Sequence, residues 1–163
     1  MLQFSDIYVF DTSSFIELKN DPNKLKKIED MIIQGRIRII APKQVYNEII
    51  RKDDEITEFV ERHKNKIFVD PYKDEEIMQN VRRIIESYPN LIKSGRGSSN
   101  NECADPYVIA TAGMLQSRGL ERPIVVTEDI RDKRKKISIR SVCQAEGIEC
   151  ITLSELCRRG GII

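Results

Sequence analysis

The sequence predicts an α/β domain with a mostly parallel sheet covered by helices on both faces, on three observations. Short apolar runs without polar alternation, residues 7–10 and 124–127 foremost, suit strands buried on both faces. Between such runs lie segments with apolar residues at helical spacing, as in Ile77, Val81, Ile84 and Ile85. Strands that alternate with helices pair in parallel through crossovers, which place helices over the sheet.

In order along the chain, Ile7-Tyr8-Val9-Phe10 is the first strand and ends abruptly in Asp11-Thr12-Ser13-Ser14. A helix is expected over about 23–34, with Asp21 as cap, Pro22 in the first turn, Gly35 as the stop, and Leu25, Ile28, Met31 and Ile32 on one face. Residues 36–40 read as the second strand, closed by Ala41-Pro42. A helix carrying Val45, Ile49 and Ile50 follows, then a polar helix to about Lys64 and a short strand at 67–69. Asp74 caps the next helix, which Tyr88-Pro89-Asn90 stops. Residues 93–101, small and polar, form the clearest loop. Asp105-Pro106 opens a helix to about Ser117, with Gly119 beyond it. The strand at 124–127, a basic run, a helix around 141–146, a strand at 148–151 and a closing helix from about Ser154 complete the chain.

At 163 residues the chain has the size of one domain, 1–163, and with 40% hydrophobic residues it can bury a core. No apolar run approaches the roughly 18 residues that span a bilayer, so no membrane partner is expected. The first residues carry neither a basic start nor an apolar stretch, which predicts a cytoplasmic protein without a secretory signal. Charge is nearly balanced, 27 basic against 26 acidic residues, so any grip on nucleic acid must be a local patch. The four cysteines form no C-x-x-C pair and read as reduced thiols. The one histidine, His63, lies in Glu61-Arg62-His63-Lys64 and reads as a solvated helix residue, which argues against Ser-His-Asp or Cys-His hydrolysis.

In such sheets ligands bind beyond the carboxyl ends of the strands. Asp11 follows the first strand, and Glu128 and Asp129 follow the strand at 124–127. Asp105 opens a helix, and Glu48 sits in the helix after the second strand. Taken singly, Asp105 reads as an N-cap, Glu48 as an ion-pair partner of Arg51 or Lys52, and Glu128-Asp129 as turn residues. Asp11 resists a structural reading, because a carboxylate ending a buried strand is costly unless paired, hydrogen-bonded or bound to a cation. Together the acids predict one cluster. Clustered carboxylates repel, a divalent cation relieves this, and oxygen-only ligation suits Mg²⁺ or Mn²⁺ over Zn²⁺. The chemistry implied is phosphodiester hydrolysis.

The order of these motifs resembles that of the PIN-domain ribonucleases, including the VapC-like toxins of toxin–antitoxin pairs. The opening motif is matched by Tyr8-Val9-Phe10-Asp11-Thr12-Ser13-Ser14-Phe15-Ile16, and the second by Pro42-Lys43-Gln44-Val45-Tyr46-Asn47-Glu48-Ile49. The third is matched by Ala104-Asp105-Pro106-Tyr107-Val108-Ile109-Ala110-Thr111-Ala112, and the last by Val126-Thr127-Glu128-Asp129. The likeness spans nearly the whole chain. It implies a three-layer α/β/α fold, a Mg²⁺- or Mn²⁺-dependent endoribonuclease acting on RNA, frequent homodimers and, in the toxin branch, a paired antitoxin.

By motif the site comprises Asp11, Glu48, Asp105 and Asp129, with Glu128 as the alternative fourth acid. Asp11, Glu48 and Asp105 would hold the principal metal, and Ser13 or Thr12 would orient Asp11 or contact the scissile phosphate. Residues 53–101 exceed the minimal toxin pattern and read as a helical insertion. A polyanion facing an acidic cluster needs neighbouring cations. Arg131, Lys133, Arg134, Lys135 and Lys136 after the fourth acid, and Lys93 and Arg96 in the polar loop, are the candidates. Three other readings compete. One is an Asp11-nucleophile phosphotransferase, disfavoured because Ser13 stands where that chemistry wants a second acid. The others are a non-catalytic PIN-like module binding RNA or protein, and a nuclease of RNA processing or DNA.

Overall fold

The computed structural model describes residues 5–51, 54–92 and 103–162. Lys93 and Arg96 fall outside them. Among the described residues five parallel strands form the sheet: β1 (Asp6–Phe10), β2 (Ile39–Pro42), β3 (Phe68–Val69), β4 (Arg122–Val126) and β5 (Glu149–Ile151). Their spatial order is β3-β2-β1-β4-β5, with β1 and β4 paired from Asp6 opposite Arg122 to Phe10 opposite Val126. The order reverses at β1 and β4, so the carboxyl ends of these two strands flank the crevice where open parallel sheets bind ligands.

Nine helices accompany the strands among the described residues: α1 (Thr12–Lys19), α2 (Pro22–Ile33), α3 (Lys43–Ile50), α4 (Glu55–Arg62), α5 (Lys64–Ile67), α6 (Glu75–Ser87), α7 (Asp105–Arg118), α8 (Ile139–Glu146) and α9 (Leu153–Arg159). The α/β fold with a parallel sheet flanked by helices is the one the sequence predicts. In β4, Pro123, Ile124, Val125 and Val126 are all buried, as a central strand covered on both faces requires. Helix α7 packs against β1, β2 and β4, and α6 packs on α7 through Ile77, Val81, Tyr107, Ala110 and Met114. The approach is close at Gly113, where a Cβ would lie 2.6 Å from the Asn80 amide nitrogen. That same amide donates to the Ala110 carbonyl at 3.2 Å, so the contact leaves no room for a side chain.

Several expectations shift. Helix α1 is absent from the sequence reading, because Thr12-Ser13-Ser14 resembles a polar turn. The Asp11 carboxylate caps it by accepting from Ser14 N, and Phe15 and Leu18 turn into the core. The second strand starts at Ile39, because Gly35 and Arg36 still close α2: their N–H groups donate to the Ile32 and Met31 carbonyls at 3.1 and 2.8 Å, with Gly35 at φ +69°. Ile67 ends α5, which leaves two residues for β3. His63 is partly buried and bonds Glu29 at 2.7 Å, tying the end of α4 to α2. None of the four cysteines is in a disulfide, and Cys103, Cys143 and Cys157 are buried. Burial aside, Cys143 is held well above the usual thiol range chiefly by its hydrogen bond with Cys150.

Candidate active site

Asp11 leaves β1 at its carboxyl end and is only 3% exposed. Its burial is made tolerable by hydroxyls. Ser13 Oγ donates to its carboxylate at 2.8 Å, and Ser14 N and Oγ reach Oδ1 at 3.0 Å each. Thr127 Oγ1, from the end of β4, donates to Oδ2. These bonds do not fully offset desolvation, which, with the Asp105 charge, holds the carboxyl at about 6.

The hydroxyls also fix the acids that follow β4. Ser13 Oγ accepts from Glu128 N at 2.9 Å, and Thr127 Oγ1 accepts from Asp129 N at 2.9 Å. Each hydroxyl thus passes a backbone N–H to the Asp11 carboxylate, locking the β4 turn to β1. From that turn the two adjacent acids diverge. Glu128 Oε1 accepts from Leu153 N at 2.9 Å, at the start of α9. Asp129 Oδ2 accepts from Ile139 N at 3.1 Å and from Lys136 Nζ at 2.7 Å.

Asp105 is not an N-cap. Ala104 occupies that position with no side-chain cap bond, and Asp105 is the first residue of α7, ahead of Pro106. Its Oδ2 lies 3.4 Å from Lys136 Nζ, so one ammonium bridges Asp105 and Asp129. Burial opposes the charge on Lys136, but the bond to Asp129 and the charge of Asp105 outweigh it and raise the amine above the usual lysine value. Glu48, on α3, accepts from Thr12 Oγ1 at 2.7 Å. Of the two hydroxyls expected to orient Asp11, Ser13 does so and Thr12 holds Glu48 instead. A recess of about 210 Å³ opens beside Thr12 and Glu48 and is lined also by Lys19 and Arg51.

Asp11, Glu48, Asp105 and Asp129 therefore stand at one edge of the sheet, connected through Thr12, Thr127 and Lys136. Ser14, Thr127 and the inward role of Lys136 escaped the sequence reading. The Val-Thr-x-Asp pattern held the signal for Thr127, as a hydroxyl between a buried strand and an acid. Arg131, Lys133, Arg134 and Lys135 are exposed on the loop before α8.

The donor set is entirely oxygen, which suits a hard divalent cation. A cation, the Lys136 ammonium, already lies between two of the acids. Among the described residues, no three His, Cys, Asp or Glu side chains close on one point at metal-ligand spacing. The donors suit such an ion in kind, and in this structure the Lys136 ammonium holds the place beside Asp105 and Asp129.

A family model described as a domain of unknown function (DUF4411) matches residues 8–162. The chain belongs to the DUF4411 family. Comparison with curated proteins finds no match. Among solved structures, the DUF4411 chain is similar to a chain of VapBC-1 from nontypeable Haemophilus influenzae, with a TM-score of 0.55 and 17% identity, covering 91% of this chain and 98% of that one. At that identity the likeness is one of fold. No helix among its described residues is long and apolar enough to cross a membrane.

Proposed function

We propose that the protein is a Mg²⁺- or Mn²⁺-dependent endoribonuclease of the PIN type, the toxin of a toxin–antitoxin pair. The observation that carries this reading is the placement of four acids, after β1, on α3, at the start of α7 and after β4, along the edge where β1 and β4 end, with the Lys136 ammonium bridging Asp105 and Asp129. A structural frame needs no such concentration of carboxylates, and it is costly without a cation.

Asp11, Glu48, Asp105 and Asp129 would hold the metal. A divalent ion there supplies an activated water at neutral pH and neutralises charge on the phosphate. The chain's own residues do the rest. Ser13, Ser14 and Thr127 keep the Asp11 carboxylate in a single orientation, so no reorganisation is spent on it. Thr12 does the same for Glu48. Arg131, Lys133, Arg134 and Lys135 offer exposed positive charge beside the acids and offset the repulsion an RNA backbone meets there. Glu128 serves the fold by accepting from Leu153 N.

The fold likeness to a chain of VapBC-1 and the motif resemblance support the toxin branch, and with it an antitoxin partner, a homodimer and cytoplasmic action. The reading is tested by incubating the full chain with mixed RNA and Mn²⁺, with and without EDTA. Asp105→Asn and Asp129→Asn should each lower cleavage by about a hundredfold or more, at about 3 kcal/mol of lost transition-state stabilisation. Glu128→Gln, which keeps the acceptor for Leu153 N, should stay within about threefold of the wild type, roughly 0.65 kcal/mol. EDTA-resistant cleavage, or full activity in the Asp105 and Asp129 variants, would refute the proposal.

A further inference from the structure

Two of the four acids, Asp105 and Asp129, share the Lys136 ammonium, and the loop that carries it is held by hydrogen bonds on both sides. The chain turns between Lys133 and Lys136, whose backbones exchange hydrogen bonds of 2.8 and 3.1 Å. The Asp132 carboxylate accepts from Ser138 N and Ser141 Oγ, both at 2.8 Å, and so pins the turn to the start of α8. Ile137 N donates to the Asn90 carbonyl at 3.0 Å, which fastens the far side. Lys133, Arg134 and Lys135 remain exposed, whereas the Lys136 side chain is 18% exposed. Its ammonium lies 2.7 Å from Asp129 and 3.4 Å from Asp105, and 3.5 Å from the Ile137 carbonyl.

We propose that Lys136 is a tethered competitor for the metal position: its ammonium occupies the Asp105–Asp129 side of the site, and a divalent ion loads only by displacing it. The inference rests on the reading of these acids as a metal site. An ammonium and a divalent ion cannot share the same carboxylate oxygens, because their charges repel at contact distance and each needs the same lone pairs. The ammonium therefore has two opposite effects. It relieves repulsion between Asp105 and Asp129 in the metal-free protein, and it subtracts from metal affinity the free energy of the ion pairs that must break. A site so guarded stays shut at low free metal and opens when the metal concentration is high enough to win. Three anchors on the loop, rather than a free lysine side chain, keep the competitor at a high local concentration.

The test is Mn²⁺ binding to the full chain by isothermal titration calorimetry, which needs no substrate. Lys136→Met and Lys136→Gln should each bind Mn²⁺ about tenfold or more tightly than the wild type. Lys135→Met removes the same charge from the exposed part of the loop and should stay within about twofold. Without metal, the Lys136 variants should also melt at a lower temperature than the wild type, because the two acids then repel unrelieved. Wild-type binding with unchanged or weaker binding in both Lys136 variants would overturn the competitor and leave the metal site standing. An equal gain in Lys135→Met would overturn it in favour of long-range charge. Absence of Mn²⁺ binding in every variant would overturn both the competitor and the metal site.

Discussion

Asp11→Asn is expected to stabilise the metal-free protein by about 1–3 kcal/mol at pH 7, and to abolish cleavage. The two effects share one cause. The Asp11 carboxyl is buried, and desolvation holds it at about 6, against an ordinary value of 3.8. It therefore binds its proton more tightly in the folded chain than in the unfolded one. Its proton-linked stability is complete below 3.8 and is lost as pH rises through about 6. At pH 7 the ionised carboxylate is a burden that a neutral amide lacks. Asn keeps one oxygen for Ser14 N and Oγ, and its amide can donate to the Thr127 hydroxyl, which then turns its own proton away. Urea unfolding in EDTA at pH 4, 5, 6 and 7 should show the two proteins nearly equal at pH 4 and diverging as pH rises. Added Mn²⁺ should reverse the order, since only the wild type gains a metal bound to the folded state. A loss of more than about 1 kcal/mol in the Asn variant at pH 7 would mean that hydrogen bonding to the carboxylate outweighs its desolvation.

That balance also explains what was legible in the sequence. Asp11 could be read as exceptional because a carboxylate directly after Ile7-Tyr8-Val9-Phe10 has nowhere inexpensive to go. The strand expected at 124–127 was equally legible, since an apolar run bounded by turn residues needs no tertiary context. The hydroxyls were not. Ser14 reaches Asp11 through the first turn of α1, which the sequence presents as a polar turn. Thr127 meets it only because β1 and β4 are neighbours in parallel register, and pairing of strands 116 residues apart leaves no local mark. The choice between Glu128 and Asp129 was open for the same reason. Adjacent side chains diverge, and which of them faces Asp105 depends on where α9 offers the Leu153 N–H. Lys136 was hidden by its company: in Lys133-Arg134-Lys135-Lys136 every residue reads as solvated, and only the turn closed by Lys133 and Lys136 sends one inward.

Phe15→Ala should cost about 3–5 kcal/mol, the largest single loss expected outside the site. Phe15 is fully buried in α1, and its ring centroid lies 5.1 Å from that of Phe10, 5.9 Å from Phe68 and 6.4 Å from Phe59. It thereby joins the end of β1, the edge strand β3 and helix α4. Helix α1 has eight residues, too few to be stable alone, so this packing and the Asp11 cap must hold it. The same helix presents Thr12 to Glu48, and Ser13 and Ser14 to Asp11. Truncating the ring should therefore loosen both acids as well as empty the core, lowering Mn²⁺ affinity along with the urea midpoint. Phe15→Leu keeps much of the contact and should lose roughly half as much. Ile33→Ala, at a side chain 65% exposed, should change stability by no more than about 0.5 kcal/mol. A Phe15→Ala variant as stable as Ile33→Ala would mean that α1 is held by its cap alone. A destabilised variant that kept full Mn²⁺ affinity would separate the core from the site, whereas the structure joins them through the one turn of helix between Asp11 and Phe15.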